Sequence, residues 1–110
     1  LLPGRFAGDS PTTVAKIEAV EKLMTVADEA GLTLIQLALG FVTAHPGVTS
    51  AIIGPRTLDH LRSQVAAADT VLSSDVLDAV DEIVAPGVDL APDEKFDTPP
   101  SLLEKSLRRR

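Results

Sequence analysis

Residues 49–64, TSAIIGPRTLDHLRSQ, place an arginine between an apolar run and the first turn of a helix. Gly54 allows a sharp turn and a close approach to a ligand, and Pro55 stiffens that turn. Arg56 adds a planar, permanently charged guanidinium that suits a phosphate. Free N–H groups at the helix start favour an anion at the same place. The pattern predicts an anion-binding turn, with a solvated Arg56 as the alternative.

Three polar side chains follow this turn along the helix. His60 and Gln64 come three and seven residues after Thr57, so they share one helical face, with Ser63 nearby. We expect them to reach a ligand that lies over the helix N-terminus. The alternative is that His60 is a surface histidine capping its own helix. Because no glycine-rich loop is present, spacing alone leaves both interpretations open.

Composition limits the classes of function. A chain of 110 residues is long enough for one ordinary domain. A net charge of −6 and a pI near 4.7 argue against a nucleic-acid partner, and residues 108–110, all arginine, are expected to be a solvated tail. The absence of cysteine excludes disulfides and zinc–thiolate sites and is compatible with the cytoplasm, where we expect the protein to reside.

No membrane span is expected. The longest apolar stretch, residues 32–42, is interrupted by Gln36 and has about half the roughly 20 residues that a bilayer requires. No signal peptide is recognised, although the chain starts at Leu1 in the middle of a pattern without an initiator methionine. We therefore expect it to be a piece of a longer protein.

Apolar periodicity predicts four helices. The first covers 12–30 and ends at Gly31. The second covers 34–44, opens with a capping box of Thr33 and Gln36, and is apolar nearly all round, so other elements should bury it. The third, 57–68, is capped by Thr57, and the fourth starts at Ser73 or Ser74 and stops before residues 86–87. The inward-facing residues expected on the third helix are Leu58, Leu61, Val65 and Ala68.

A single strand is predicted at residues 48–53, VTSAII, which is β-branched and uncharged like a buried parallel strand. A lone strand leaves its edges unpaired, at on the order of 1–3 kcal/mol for each buried group. Helix, strand and helix in succession are typical of an α/β fold. We therefore expect most of the sheet to be missing, and residues 88–110, rich in proline, to be an extended tail with a last turn at 101–107.

The stretch GLTLIQLALGFVTAHPGVTSAIIGPRTLDHLRSQVAAAD, followed by VLSSDVLDAVDEIVAPG, resembles the C-terminal part of the aldo-keto reductase family. The opening LLPGRF is similar to that family's LLTGKY segment after the seventh barrel strand. The resemblance covers residues 1–87 in unbroken order. It implies the C-terminal portion of an eight-stranded (β/α) barrel, with 48–53 as the eighth strand, 57–68 as the eighth barrel helix and 73–85 as the extra helix.

The resemblance also implies a cofactor and its contacts. The family moves a hydride between a nicotinamide cofactor, usually NADP(H), and a small carbonyl or alcohol substrate. Gly54 and Arg56 match positions that contact the adenosine phosphate, and Arg5 matches a basic residue expected near the pyrophosphate. At the positions that contact the adenine end, the family more often has Gln, Glu and Asn, where this chain has His60, Ser63 and Gln64.

Catalytic residues are not expected in this chain. The family uses a tyrosine acid assisted by Lys, Asp and His, and the sequence contains no tyrosine. His45, before Pro46 at a helix end, is most simply a capping residue. We therefore expect the chain alone to be inactive.

Two alternatives belong to other classes of protein. VADEAGLTLIQLAL also resembles a helix-turn-helix, but its second helix offers only Gln36 for reading bases, and the chain is acidic. The second alternative is a non-enzymatic helical association module. In such a module, the unpaired strand edge and the apolar helix bind a second copy of the chain. The isolated chain is then expected to self-associate.

Overall fold

The computed structural model describes residues 11–92 and 97–108, and in these ranges the chain is helical without a strand. Helix α1 packs against α2 and α4, and α3 packs against α2. A single 3₁₀ turn at Lys105–Leu107 follows the last α-helix, so helical turns form where the sequence predicts one at 101–107. The α-helices are α1 at Pro11–Glu29, α2 at Leu34–Thr43, α3 at Leu58–Ala66, α4 at Ser74–Ile83 and α5 at Pro100–Leu103.

The turn between α1 and α2 forms as predicted. Gly31 ends α1 in the left-handed conformation, with φ of 67°, and the Leu32 amide bonds back to the carbonyl of Ala27 at 2.8 Å. The Thr33 amide donates to Gln36 Oε1 at 2.9 Å, and the Gln36 amide donates to Thr33 Oγ1 at 3.2 Å. The predicted capping box is therefore confirmed, and it sets the start of α2.

Helix α3 begins at its predicted cap, and α4 begins where the sequence predicts a start at Ser73 or Ser74. The hydroxyl of Thr57 accepts from the His60 amide at 3.2 Å at the start of α3. The hydroxyl of Ser73 accepts from the Val76 amide at 3.3 Å at the start of α4. Each bond satisfies one of the amides that a helix start leaves without an intrahelical acceptor.

A small core forms where α1, α2 and α4 meet. Its buried members are Ala27, Leu37, Leu72 and Val80, with Leu77 and others packed around them. Gly40 brings the backbone of α2 close to the chain before α4, since a Cβ at this position would lie 2.9 Å from Leu72 Cγ. Burial of these side chains is the driving force that holds the three helices together.

The predicted strand at residues 48–53 is wrong for this chain. The segment is irregular, Ile52 is fully exposed at 102%, and Ile53 is 38% exposed. Within the described residues, the backbone of residues 49–55 makes no hydrogen bond to another backbone group. A strand forms only when a neighbouring strand accepts and donates backbone hydrogen bonds along its edge. The described chain supplies no such neighbour.

Two helix faces expected to be inward are exposed. In α2 only Leu37 and Gly40 are buried, and Phe41 and Val42 are 37% and 42% exposed. In α3 no residue is buried; Leu58, Leu61 and Val65 are 60%, 38% and 58% exposed, and Ala68 beyond its end is exposed as well. The apolar pattern was identified correctly, but the described chain has too few elements to cover it. The radius of gyration of 14.8 Å exceeds the roughly 13 Å of a compact chain this long.

Among the described residues, no single helix is long and apolar enough to cross a bilayer. Helices α1 and α2 pass a test of length and composition only as a pair, and they are bent by 95° at the break between them.

Candidate functional site

The turn before α3 carries the candidate anion site. Residues 54–57 lead into Thr57, whose extended backbone (φ −136°, ψ 163°) marks the helix boundary. A Cβ added to Gly54 would meet nothing within 4 Å, and Gly54 does not adopt a left-handed φ. The turn itself therefore does not require glycine. What Gly54 provides is open space beside the backbone, where a ligand can approach.

Arg56 is the charged group of this turn. Its side chain is exposed, and within the described ranges it makes neither a hydrogen bond nor an ion pair. In the first turn of α3, Asp59 carries an opposing negative charge, and Arg62 Nη1 lies 3.4 Å from Asp59 Oδ1. The positive charge of Arg62 offsets the negative charge of the Asp59 carboxylate. The guanidinium of Arg56 and the N-terminus of α3 therefore still favour an anion at this turn.

Two of the predicted adenine-end residues lie on the exposed side of α3. His60 and Ser63 are both exposed, and Ser63 Oγ donates to the His60 carbonyl at 2.9 Å. The His60 side chain does not cap its own helix; its amide is capped by Thr57. The structure therefore brings His60 and Ser63 together within two turns of Arg56.

Gln64 has a different environment. Its Oε1 atom is buried and has no hydrogen-bond partner among the described residues. Gln64 lines a cavity of about 340 Å³ between α2, α3 and residues 49–53, together with Thr43 and Ser50. A buried amide oxygen without a donor costs about 1–3 kcal/mol, so this site suits a ligand or a chain segment that donates a hydrogen bond. Arg5, the remaining predicted contact, lies outside the described residues.

Sequence reasoning missed the second role of His45. Its Nδ1 accepts from the Gly47 amide at 3.0 Å, so it caps the turn that follows α2. Its Nε2 lies 3.2 Å from the carbonyl oxygen of Leu107, 62 residues later in the chain. No local pattern signals a contact over such a separation. Across the described ranges no group of three or more His, Asp or Glu side chains is placed to hold a metal ion.

The side chains of α2 give little support to the helix-turn-helix alternative. The 95° angle between α1 and α2 lies in the range of such motifs. However, Gln36 Oε1 is already engaged by the Thr33 amide and hydroxyl, and α2, LIQLALGFVT, carries no arginine or lysine. α2 therefore lacks the basic side chains that most often read base edges.

Comparison with known proteins gives a consistent result. The model of the Aldo/keto reductase family matches residues 3–85. The chain is similar to "Uncharacterized oxidoreductase YrpG" of Bacillus subtilis (strain 168), with 34% identity over 64 residues, which is 58% of this chain and 20% of that protein. It is also similar to "Protein tas" of Escherichia coli (strain K12), with 33% identity over 66 residues, 60% of this chain and 19% of that protein.

A third relative is "Probable voltage-gated potassium channel subunit beta" of Arabidopsis thaliana, 31% identical over 70 residues, which is 62% of this chain and 21% of that protein. No solved structure gives a significant match. The chain thus spans about a fifth of the length of the curated relatives that it matches. Because the family model covers residues 3–85, which include the Arg56 turn and all four long helices, the chain belongs to the aldo/keto reductase family.

Proposed function

We propose that residues 1–87 are the C-terminal, cofactor-anchoring part of an aldo/keto reductase, and that residues 88–110 follow it as a tail. The complete protein moves a hydride between NADP(H) and a carbonyl or alcohol. The observation that carries this proposal is Arg56, exposed and without a partner in the described chain at the turn that begins α3.

The lack of a described strand beside residues 48–53 supports the placement of this segment in a barrel. This segment has the β-branched composition of a buried parallel strand, yet Ile52 is fully exposed and no described strand lies beside it. In a (β/α) barrel, two neighbouring strands would pair with both edges, and the surrounding helices would cover the side chains. The exposed apolar face of α3 is then a surface that the rest of the barrel buries.

The residues present fit an adenine nucleotide in charge and hydrogen bonding. When bound, the nicotinamide cofactor supplies the hydride chemistry. Arg56 would hold the 2′-phosphate, Gly54 would leave room for the phosphate beside the backbone, and Arg5 would lie near the pyrophosphate. His60 and Ser63 would contact the adenine end. The orphaned Oε1 of Gln64 is an acceptor suited to an amine donor such as that of adenine.

Proton transfer requires a group that this chain lacks. Reduction of a carbonyl needs an acid near the carbonyl oxygen, and the family's acid is a tyrosine, which is absent from all 110 residues. His45 is committed to the Gly47 amide and faces Leu107. We therefore propose that the isolated chain anchors cofactor without turning over substrate.

The test is the substitution Arg56→Ala in the complete reductase that contains this segment. Loss of a charge-assisted contact to the 2′-phosphate should weaken NADP(H) binding by about 10- to 100-fold. NAD(H) binding should change little, because that cofactor lacks the phosphate. Binding is measured by titration calorimetry. Arg62→Ala is the matched control, since Arg62 is an exposed arginine on the same helix that pairs with Asp59. Equal losses for both cofactors would contradict the assignment.

We also propose that the isolated chain self-associates through its uncovered apolar segments. Ile52, Leu58 and Val65 are 102%, 60% and 58% exposed, and they lie within one stretch of chain. Sedimentation velocity over a range of concentrations measures this directly. A monomer at all concentrations would count against the proposal.

A further inference from the structure

An apolar groove between α2 and α4 ends at a cluster of polar groups. The cavity has a volume of about 640 Å³, and its walls include Leu34 and Phe41 of α2 and Val84 of α4. The polar side chains that line it are His45, Asp81 and Arg108. Arg108 is the member that comes from the C-terminal segment, beyond the residues that match the family model. The chain therefore brings its own C-terminal segment to the mouth of this groove.

The first contact that holds the segment there is made by Arg108. Its Nη1 donates to the Pro86 carbonyl at 3.0 Å, just after the end of α4. The guanidinium lies directly over Gly87, where an added Cβ would collide with it. Gly87 has a φ of 86°, a left-handed conformation that glycine adopts without strain. The turn after α4 is thus shaped to admit the guanidinium.

The second contact is made by His45 at the end of α2. Because Nδ1 accepts from the Gly47 amide, the hydrogen of the neutral ring is on Nε2, which donates to the Leu107 carbonyl at 3.2 Å. Two consecutive residues of the C-terminal segment, Leu107 and Arg108, are therefore bound to the ends of two different helices.

The described leucines of the segment add little to these polar contacts. Leu103 and Leu107 are 75% and 46% exposed, so they contribute little hydrophobic burial. The closed position then depends on polar contacts, and those of His45 and Arg108 each change an equilibrium by about fivefold to tenfold. We propose that residues 97–108 form a strap that closes the end of the groove and opens when either contact is lost, with His45 and Arg108 as its fasteners.

The absence of cysteine allows a direct test in the full chain. Ser106→Cys, at an exposed position of the strap, takes a single nitroxide spin label. A closed strap should broaden the amide resonances of Gly47 and Gly87. Adding Arg108→Gln should lower the ratio of closed to open strap about tenfold, and adding His45→Phe about fivefold. Lys105→Gln, a matched control that removes a cation from the same turn, should leave the broadening unchanged.

Two outcomes would overturn the strap: no broadening in the labelled parent, or equal broadening in the Arg108→Gln and Lys105→Gln chains. The resonances of Leu37 and Val80 report whether the core is intact. If Arg108→Gln shifts the Leu37 and Val80 resonances, its core is disturbed, and the broadening in the His45→Phe chain then tests the strap. Fluorescence of 8-anilinonaphthalene-1-sulfonate gives a second measurement. It should rise in both fastener variants and not in Lys105→Gln, because an open strap exposes the apolar groove; an equal signal in all three would also overturn the proposal.

Discussion

Two regions of the molecule differ in how much of their apolar surface the chain buries. One is built from α1, α2 and α4, and the other is residues 48–66. The first encloses Ala27, Leu37, Leu72 and Val80 in a shared core. The second contains no buried residue in α3 and a segment without backbone pairing in the described chain. Both carry strong apolar patterns. The difference shows that an apolar pattern produces burial only where partner elements are present.

The same difference separates stability from function. The first region has a shared core, whereas the candidate cofactor residues are concentrated in the second. Gly54, Arg56, His60 and Ser63 lie on a turn and a helix that gain little from the core. If the chain is part of a barrel, the neighbouring elements must immobilise this region before it can bind a nucleotide tightly.

The largest expected effect is on the core. Leu37 is 3% exposed, so Leu37→Ala should cost about 2–5 kcal/mol of unfolding free energy through lost burial and a residual cavity. Leu58→Ala removes the same atoms from a 60% exposed position and should change stability by about 0.5 kcal/mol or less. Urea unfolding followed by circular dichroism measures both. Comparable losses would show that the two regions are packed alike.

A smaller effect is expected from two glycines. In Gly40→Ala, the new Cβ would lie 2.9 Å from Leu72 Cγ and 3.3 Å from the Thr70 carbonyl oxygen. The overpacking should cost about 1–3 kcal/mol, which outweighs the gain of up to about 1 kcal/mol in helix propensity. Gly54→Ala meets no atom within 4 Å and should stabilise the chain by about 0.4–1 kcal/mol. The midpoint of thermal unfolding should therefore fall in Gly40→Ala and rise in Gly54→Ala. A shift in the same direction in both variants would be evidence against a difference in packing between the two positions.

The smallest effect concerns the helix caps. Thr33→Ala removes the hydroxyl that accepts from the Gln36 amide and donates to Gln36 Oε1, and should lower global stability by about 1 kcal/mol. Thr57→Ala removes the cap of α3, a helix with no buried residue, so it should fray that helix with less effect on global unfolding. Amide hydrogen exchange at Gln36 and His60 separates the two responses. Faster exchange at His60 with an equal global loss would mean that α3 belongs to the cooperative core.

Much of the local structure could be predicted from the sequence. The caps at Thr33, Thr57 and Ser73 and the stop at Gly31 each depend on residues at most five positions apart. The family resemblance was also predictable, because it rests on motif order. What failed was the strand at 48–53 and the burial of α3, since both need neighbours that the described residues do not supply. The NADP preference, the site assignments and the cytoplasmic location stay predictions.

The sequence by itself determined where the helices begin and end, because capping and periodicity are local interactions along the chain. It also determined the absence of tyrosine and cysteine and the presence of Arg56 before α3. Only the tertiary structure decided which apolar faces are buried and that Leu107 meets His45. It also decided that Gln64 Oε1 lies in a cavity without a partner from the described residues. Those outcomes depend on which distant segments pack against one another, and residue order does not specify such contacts locally.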